Sequence, residues 1–234
     1  MKQKTLSRNR LFAFCALGAL GALATSIQTH AAVVVTEHGP YGEAGGLTNA
    51  EVIAIHPVAI GDVLELPSTT RSIVSGRVRT EWGGSEGVIN DGLARDATGG
   101  IFYVENGTQL EFQISPIDVA RIDLFMFADW SRTSAWVDVH TSADGGANWS
   151  LLHEVRQAEQ NGGSVDREYN VHSLTDTTGT LASGINAIRF TFLGDGMGAD
   201  ESGYVEIDVH AVPEPATVSL AALGLLLLGR RRRR

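Results

Sequence analysis

Trp136-Val137-Asp138-Val139-His140 alternates apolar and polar residues, then runs through Ser142-Ala143-Asp144-Gly145-Gly146-Ala147-Asn148-Trp149 into a second strand-like run at 150–155. Side chains on a strand point alternately to its two faces, so a period of two marks a half-buried strand. Asp-Gly-Gly supplies the positive-φ positions that a tight reversal needs. The stretch predicts a β-hairpin whose turn bonds to itself, with Trp149 tucked beneath it.

The same kind of pattern extends in both directions. Short apolar or alternating runs fall at 51–55, 72–78, 101–104, 109–114, 121–127, 187–192 and 204–210, separated by Gly, Asp, Asn and Ser clusters. The 121–127 run is almost wholly apolar after Asp123, which predicts a central strand covered on both faces. No stretch carries the 3.6-residue period of a long amphipathic helix. Many short strands with frequent turn signals predict an all-β chain, a single antiparallel β-sandwich of jelly-roll type over residues 32–211.

The two ends read differently. Lys2, Lys4, Arg8 and Arg10 precede an apolar stretch at 11–24, and Thr29-His30-Ala31 offers small residues at a cleavage position before Ala32. Residues 1–31 are therefore expected to be a secretory signal peptide. At the other end, Val212-Pro213-Glu214-Pro215 is followed by an apolar run at 216–229 and five arginines at 230–234. That run of about 14 residues would span roughly 21 Å as a helix, short of the ~30 Å bilayer core. Snorkelling arginines extend the fit, and the positive-inside rule keeps them cytoplasmic. A weak, transient hold on the inner membrane is the expectation.

Removing both ends exposes the charge of the middle. Of 18 Lys+Arg, four lie in the first ten residues and five in the last five, which leaves nine against 27 Asp+Glu. Such an acidic exported region excludes nucleic acid and anionic lipid as partners and favours solubility and divalent cations. The single cysteine, Cys15, lies in the leader, so the domain cannot rely on a disulfide and must be stable through its core.

The tail, in the order motif, apolar run, arginine cluster, resembles the PEP-CTERM sorting signal of Gram-negative bacteria. The resemblance implies export through the Sec machinery, recognition by the membrane protease-transpeptidase exosortase, and delivery to the cell surface or extracellular matrix. The hairpin is similar to the aspartate-box turn of sialidase propellers, with Asn148 in place of threonine. It occurs once here, which leaves it a turn rather than a repeat.

A further resemblance is carried by order. Val88-Ile89-Asn90-Asp91-Gly92 comes first, then Ile122-Asp123-Leu124-Phe125, the loop Asp129-Trp130-Ser131-Arg132 and the Asp-Gly-Gly hairpin. Ile188-Arg189-Phe190-Thr191-Phe192 and Tyr204-Val205-Glu206-Ile207-Asp208-Val209 complete it. This order is similar to the galactose-binding-like, or discoidin-type, β-sandwich, whose members mostly bind carbohydrate, lipid or protein through loops at one end. Many hold a structural calcium near the Asp-Gly turn, completed by a late glutamate. Carried over, that implies Asp91, Asp96, Thr98 and Glu206 as calcium ligands, a set of hard oxygens suited to Ca2+. The turn is two residues longer than the family's and contains Arg95, so Arg95 or Arg121 balancing the carboxylates is the alternative. A second acidic stretch at 195–201 also offers carboxylates to calcium, but it lacks the EF-hand loop pattern and reads first as a solvated loop.

A sugar site needs an aromatic platform beside polar groups. Trp130 with Asp129 and Arg132 is the first candidate and Trp82 the second, against the reading that both tryptophans cap the core. Extracellular polysaccharide is the corresponding partner. The histidines fall in no metalloprotease or zinc spacing, with His140 and His210 expected at surface or edge positions. No serine sits in a nucleophile elbow, and no pair of acids stands out for glycoside hydrolysis. The sequence thus points to an exported, non-enzymatic surface or matrix protein, with a carbohydrate-binding module as the alternative.

Overall fold

The computed structural model describes residues 32–42, 61–80, 86–90, 102–128, 136–156, 168–193 and 201–213. The strands are β1 (Val33–Gly42), β2 (Thr70–Ser75), β3 (Phe102–Glu105), β4 (Gln109–Ala128), β5 (Trp136–Ser142), β6 (Ser150–Arg156), β7 (Glu168–Asp176), β8 (Ala182–Leu193) and β9 (Glu201–Ala211). All pairings among them are antiparallel. Among the described residues no helix is long and apolar enough to cross a membrane. The expected strand at 51–55 lies outside the described residues.

The long strand β4 builds the sandwich by serving both layers. Its first part, from Gln109 to Gln113, pairs with β2 on one side and β8 on the other. Its second part, from Arg121 to Ala128, pairs with β7 and β9. One layer therefore runs β2–β4–β8–β5–β6 and the other β1–β7–β4–β9–β3. The chain changes layer between Gln113 and Val119, where the register against β8 slips twice and Pro116 sits. Bulges and a missing N–H are tolerated at such a corner because the ladder is already interrupted there. The two runs expected at 109–114 and 121–127 are thus halves of one strand, and the second is central as predicted.

The layers close over one core. Phe112, Val137, Val139, Phe190 and Phe192 from the first meet Phe102, Ile122, Leu124, Tyr204 and Ile207 from the second. Phe192 and Tyr204 lie 4.7 Å apart, and Phe102 meets Phe192 edge-on at 5.6 Å. Burial of this aromatic and aliphatic surface is the main stabilising term. It replaces the disulfides that the domain lacks.

The predicted hairpin forms. Asp144 accepts from Ser142 Oγ at 2.7 Å, from Asn148 N at 2.9 Å and from Asn148 Nδ2 at 2.6 Å. Gly146 has φ +89°, and a Cβ there would stand 3.0 Å from the Trp149 ring, so the tryptophan does lie against the turn. Arg189 stacks on that ring at 4.1 Å. These bonds hold the Asp144 carboxyl down at about 2, the Asn148 and Ser142 side chains contributing most. Asp144→Ala should lower the melting temperature by a few degrees while leaving the far-ultraviolet spectrum of the domain unchanged. An unshifted melt would mean that the glycines alone set the turn.

The register also fixes two ends. Trp136 opposes both Arg156 and Leu193, Ala128 opposes Glu168, and Phe127 opposes Gly203. The connections 129–135, 157–167 and 194–200 therefore all leave from one end of the sandwich. Val119 opposes both Ala182 and Ala211 at the other end, where β9 runs out into Val212 and Pro213.

Candidate metal centre

The inner face of β9 carries Ile207 and Val209 into the core, so alternation puts Glu206, Asp208 and His210 on its outer face. Asp123 on β4 directly opposes Asp208 and joins them there. This outer face is not solvated. Glu206 and Asp208 are 0 % exposed, Asp123 4 % and Asp62 3 %.

Asp62 arrives from far away in sequence. It pairs with His210 in an isolated bridge, and its Oδ1 accepts from Val209 N at 2.7 Å across 147 residues and from Leu64 N at 3.0 Å. Val63 N donates to Val209 O at 2.9 Å, and Thr69 Oγ1 closes the loop on Val63 O at 2.6 Å. Asn90 Nδ2 donates to Leu64 O at 3.0 Å and is itself held by Arg71 at 2.7 Å. The 61–69 loop is thereby fixed against the end of β9.

Two overlapping clusters result, each with side-chain donor atoms within 4.8 Å of one another: Asp123, Asp208 and His210, and Asp62, Glu206 and Asp208. Their charge balance differs. Arg121 Nε lies 2.8 Å from Asp123 Oδ2, and His210 Nε2 lies 3.2 Å from the same oxygen and 3.0 Å from Arg121 Nη2. Nε2 donates to Asp123 or accepts from Arg121 according to its tautomer. Burial pushes the Asp123 carboxyl upward, but bonds from His210 and Ser173 and the Arg121 charge outweigh it and hold the group below its ordinary value. In the second cluster burial wins. It pushes Asp62 up to about 6 against the bonds from Val209 and Leu64. It pushes Asp208 up to about 8, reinforced by the negative charges of Asp62, Asp123 and Glu65.

Of the calcium ligands implied by resemblance, Glu206 is in this cluster. Asp91, Asp96 and Thr98 lie outside the described residues. The described start of that motif does reach the strand: Ile207 N donates to Ile89 O at 2.9 Å. Asp62 and Asp208 were not anticipated. His210, expected at a surface or edge position, stands near the end of β9 as a half-buried member of the cluster, where the 61–69 loop bridges to it. Trp130, Asp129, Arg132, Trp82, Glu214 and Pro215 lie outside the described residues, as does the acidic run at 195–200. Val212 donates to Asp118 O at 2.7 Å beside an open groove of about 390 Å3 lined by Pro116, Ile117 and Pro213, so the tail begins flush with the domain.

At the end from which the three long connections leave, Trp136 is half-buried with Arg156 5.5 Å over its ring, and Arg156 Nη2 meets Asp138. Sequence reading placed Trp136 only as a strand residue. The strand pattern read at 150–155 stops one residue short of Arg156, which directly opposes Trp136, so the pair was not anticipated.

Residues 211–234 match the model of the PEP-CTERM protein-sorting motif. The tail is a sorting signal. A PEP-CTERM tail of this kind marks an exported protein that exosortase sorts to the cell surface. No curated protein matches the chain. Among solved structures it is similar to CpGH89CBM32-6 of Clostridium perfringens, with 15% identity, TM-score 0.44, and coverage of 64% of this chain and 98% of that one. CpGH89CBM32-5 of the same organism, in complex with GalNAc-beta-1,3-galactose, gives 13% identity, TM-score 0.43, and coverage of 62% and 96%. The family 32 carbohydrate-binding module of C. perfringens NanJ, in complex with galactose, gives 14% identity, TM-score 0.43, and coverage of 61% and 93%.

Proposed function

We propose that the chain is the precursor of a non-enzymatic, acidic surface protein, held briefly in the inner membrane by its tail and then displayed at the cell surface or in the extracellular matrix. The leader at 1–31, the sandwich at 32–211 and the tail at 212–234 divide the work of export, display and sorting. The observation that supports this best is the junction. β9 ends at Ala211, the sorting motif begins at the next residue, and Val212 is still bonded to Asp118. No spacer separates the domain from its processing site. A domain used for display needs only to be delivered facing outward, and this exit turns the opposite end away from the membrane.

Mass spectrometry of the surface protein from its host tests this. The mature chain is expected to lack residues 216–234. Replacing Pro213-Glu214-Pro215 by alanines should leave an unprocessed precursor in the membrane fraction, whereas deleting 230–234 should impair retention first. An intact tail through Arg234 on the surface protein would sink the reading.

The carbohydrate-binding reading is supported by a different feature, the departure of three long connections from the end opposite the tail. One of them carries Asp129, Trp130 and Arg132, and Trp136 and Arg156 border it. A glycan array probed with the full chain and with Trp130→Ala distinguishes the two. A glycan bound by the first and lost in the second favours binding, and no glycan bound by either favours display alone.

A further inference from the structure

The sorting motif does not start in open chain. Val212 N donates to Asp118 O at 2.7 Å, the last backbone bond of the tail among the described residues. One step back along the same ladder, Ala211 directly opposes Val119. The receiving corner is itself held. Gly184 N donates to Asp118 Oδ1 at 2.7 Å, and Leu181 N to Val119 O at 2.7 Å. Ile117, Ala182 and Ala211 pack against the core from this end. Val212 and Pro213 continue along a groove of about 390 Å3 walled by Pro116, Ile117 and Gly184. The apolar run of the tail begins at Ala216, which leaves roughly 10 Å of extended chain after Pro213.

We propose that this groove is the resting seat of the chain's own sorting motif, and that the seated motif is processed only after the end of β9 lets go. The inference rests on the sorting reading given above. A bond next to a folded element is cut through the locally opened form, and the rate follows how often that form is populated. The first residue of the motif is engaged by β4, so exosortase meets the whole motif only when Val212 leaves Asp118. Pro213 has no N–H to add to the ladder, so the hold ends at Val212 and can be released without disturbing the rest of β9. One net backbone hydrogen bond shifts such an opening by roughly two- to tenfold. The short reach to the apolar run gives the motif no slack of its own. Processing would then report on the folded state of this end of the sandwich.

The test follows conversion of precursor to mature protein by pulse-chase in the host, using the full chain. Inserting Gly-Ser-Gly-Ser between Ala211 and Val212 keeps both strand and motif but frees the motif from the groove. Conversion should become faster by about threefold or more. Val119→Cys together with Ala211→Cys should act in the other direction. Asp118 and Val212 share a hydrogen bond, so Val119 and Ala211 form the closer, non-hydrogen-bonded pair, within disulfide reach. The domain has no cysteine of its own to mispair. The cross-link should slow conversion several-fold, and reductant should restore it. A processed wild type whose rate neither variant alters overturns this inference alone. So does a spacer that speeds conversion while the cross-link leaves it unchanged, because crowding at the membrane would then set the rate. A wild type that keeps its tail sinks the sorting reading and this inference with it. Should the cross-linked pair fail to fold, Asp118→Ala decides: it frees the corner from Gly184 without lengthening the tail, and an unchanged rate there overturns the proposal.

Discussion

Phe192→Ala is expected to destabilise the domain by about 3–5 kcal/mol, the usual range for emptying a buried phenylalanine site. Its ring is fully buried and touches both layers at once. It packs at a tilt against Tyr204 of the second layer at 4.7 Å, meets Phe102 edge-on at 5.6 Å, and lies 6.5 Å from Phe190 on its own strand. Its backbone N–H also donates to Thr108 O, and its carbonyl accepts from Gly107, so the strand around it is tied down and cannot collapse into the hole. A residual cavity adds to the lost transfer energy for that reason. For a domain of this size the melting temperature should fall on the order of 10 °C. Phe192→Leu should cost much less, because volume is nearly kept. Val74→Ala, at a residue 48 % exposed, should stay within about 0.5 kcal/mol. A Phe192→Ala melt as mild as that of Val74→Ala would mean that the two layers are not held by this aromatic contact.

The strands that alternate cleanly were legible because their polar residues do face away from the core. β5 and its hairpin are the plainest case, since turn chemistry and period agree over consecutive residues. β7 was missed for the opposite reason. Asn170 and His172 lie on the same face as core Leu174 and are 1 % and 3 % exposed, so the apolar period that would betray a strand is broken by polar residues on its buried side. β1 was missed because Gly39 and Pro40 interrupt it, and among the described residues it pairs with β7 alone. At 109–128 the sequence suggested a break where Pro116 stands. The chain instead carries on into the other layer, a distinction that depends on long-range pairing.

The site divides in the same way. Glu206 was singled out only through the resemblance to galactose-binding-like sandwiches, as their late glutamate, and the structure places it on β9 in the buried acidic cluster. Asp208 sits in that strand too, but alternation only sorts residues between two faces and is silent on whether the outer face meets water. Asp62 carries no local signal at all, because its role depends on a contact 147 residues away. The sorting tail was fully legible, since its recognition depends on local order of composition and not on tertiary structure.

In the presence of chelator the domain should become less stable as the pH rises, a direction opposite to ordinary acid denaturation. The Asp62 and Asp208 carboxyls, ordinarily near 3.8, are raised by burial in the folded state to about 6 and about 8. Between those limits the folded chain holds protons that the unfolded chain has released. Stability then falls with increasing pH. The contribution is whole below the unfolded value, is lost first as the pH passes about 6, and continues to fall through about 8. For Asp62 alone, at ~1.4 kcal/mol per pH unit, this is on the order of 3 kcal/mol, or several degrees of melting temperature. The two acids share their repulsion, so their effects do not add independently. The groups facing them are Glu65 from the same loop, Glu206 and His210 from β9, and Arg121 and Asp123 from β4. Asp123 is held low, so its own contribution disappears only on the acid side and does not oppose the trend. Self-repulsion of a strongly acidic chain also grows with pH. Asp208→Asn separates the two causes: it should flatten most of the fall between about pH 5 and pH 9, because it removes the buried charge and changes the surface little. If the wild type melts at the same temperature across that range without metal, the two carboxylates are not buried together as charged groups in this corner of the sandwich.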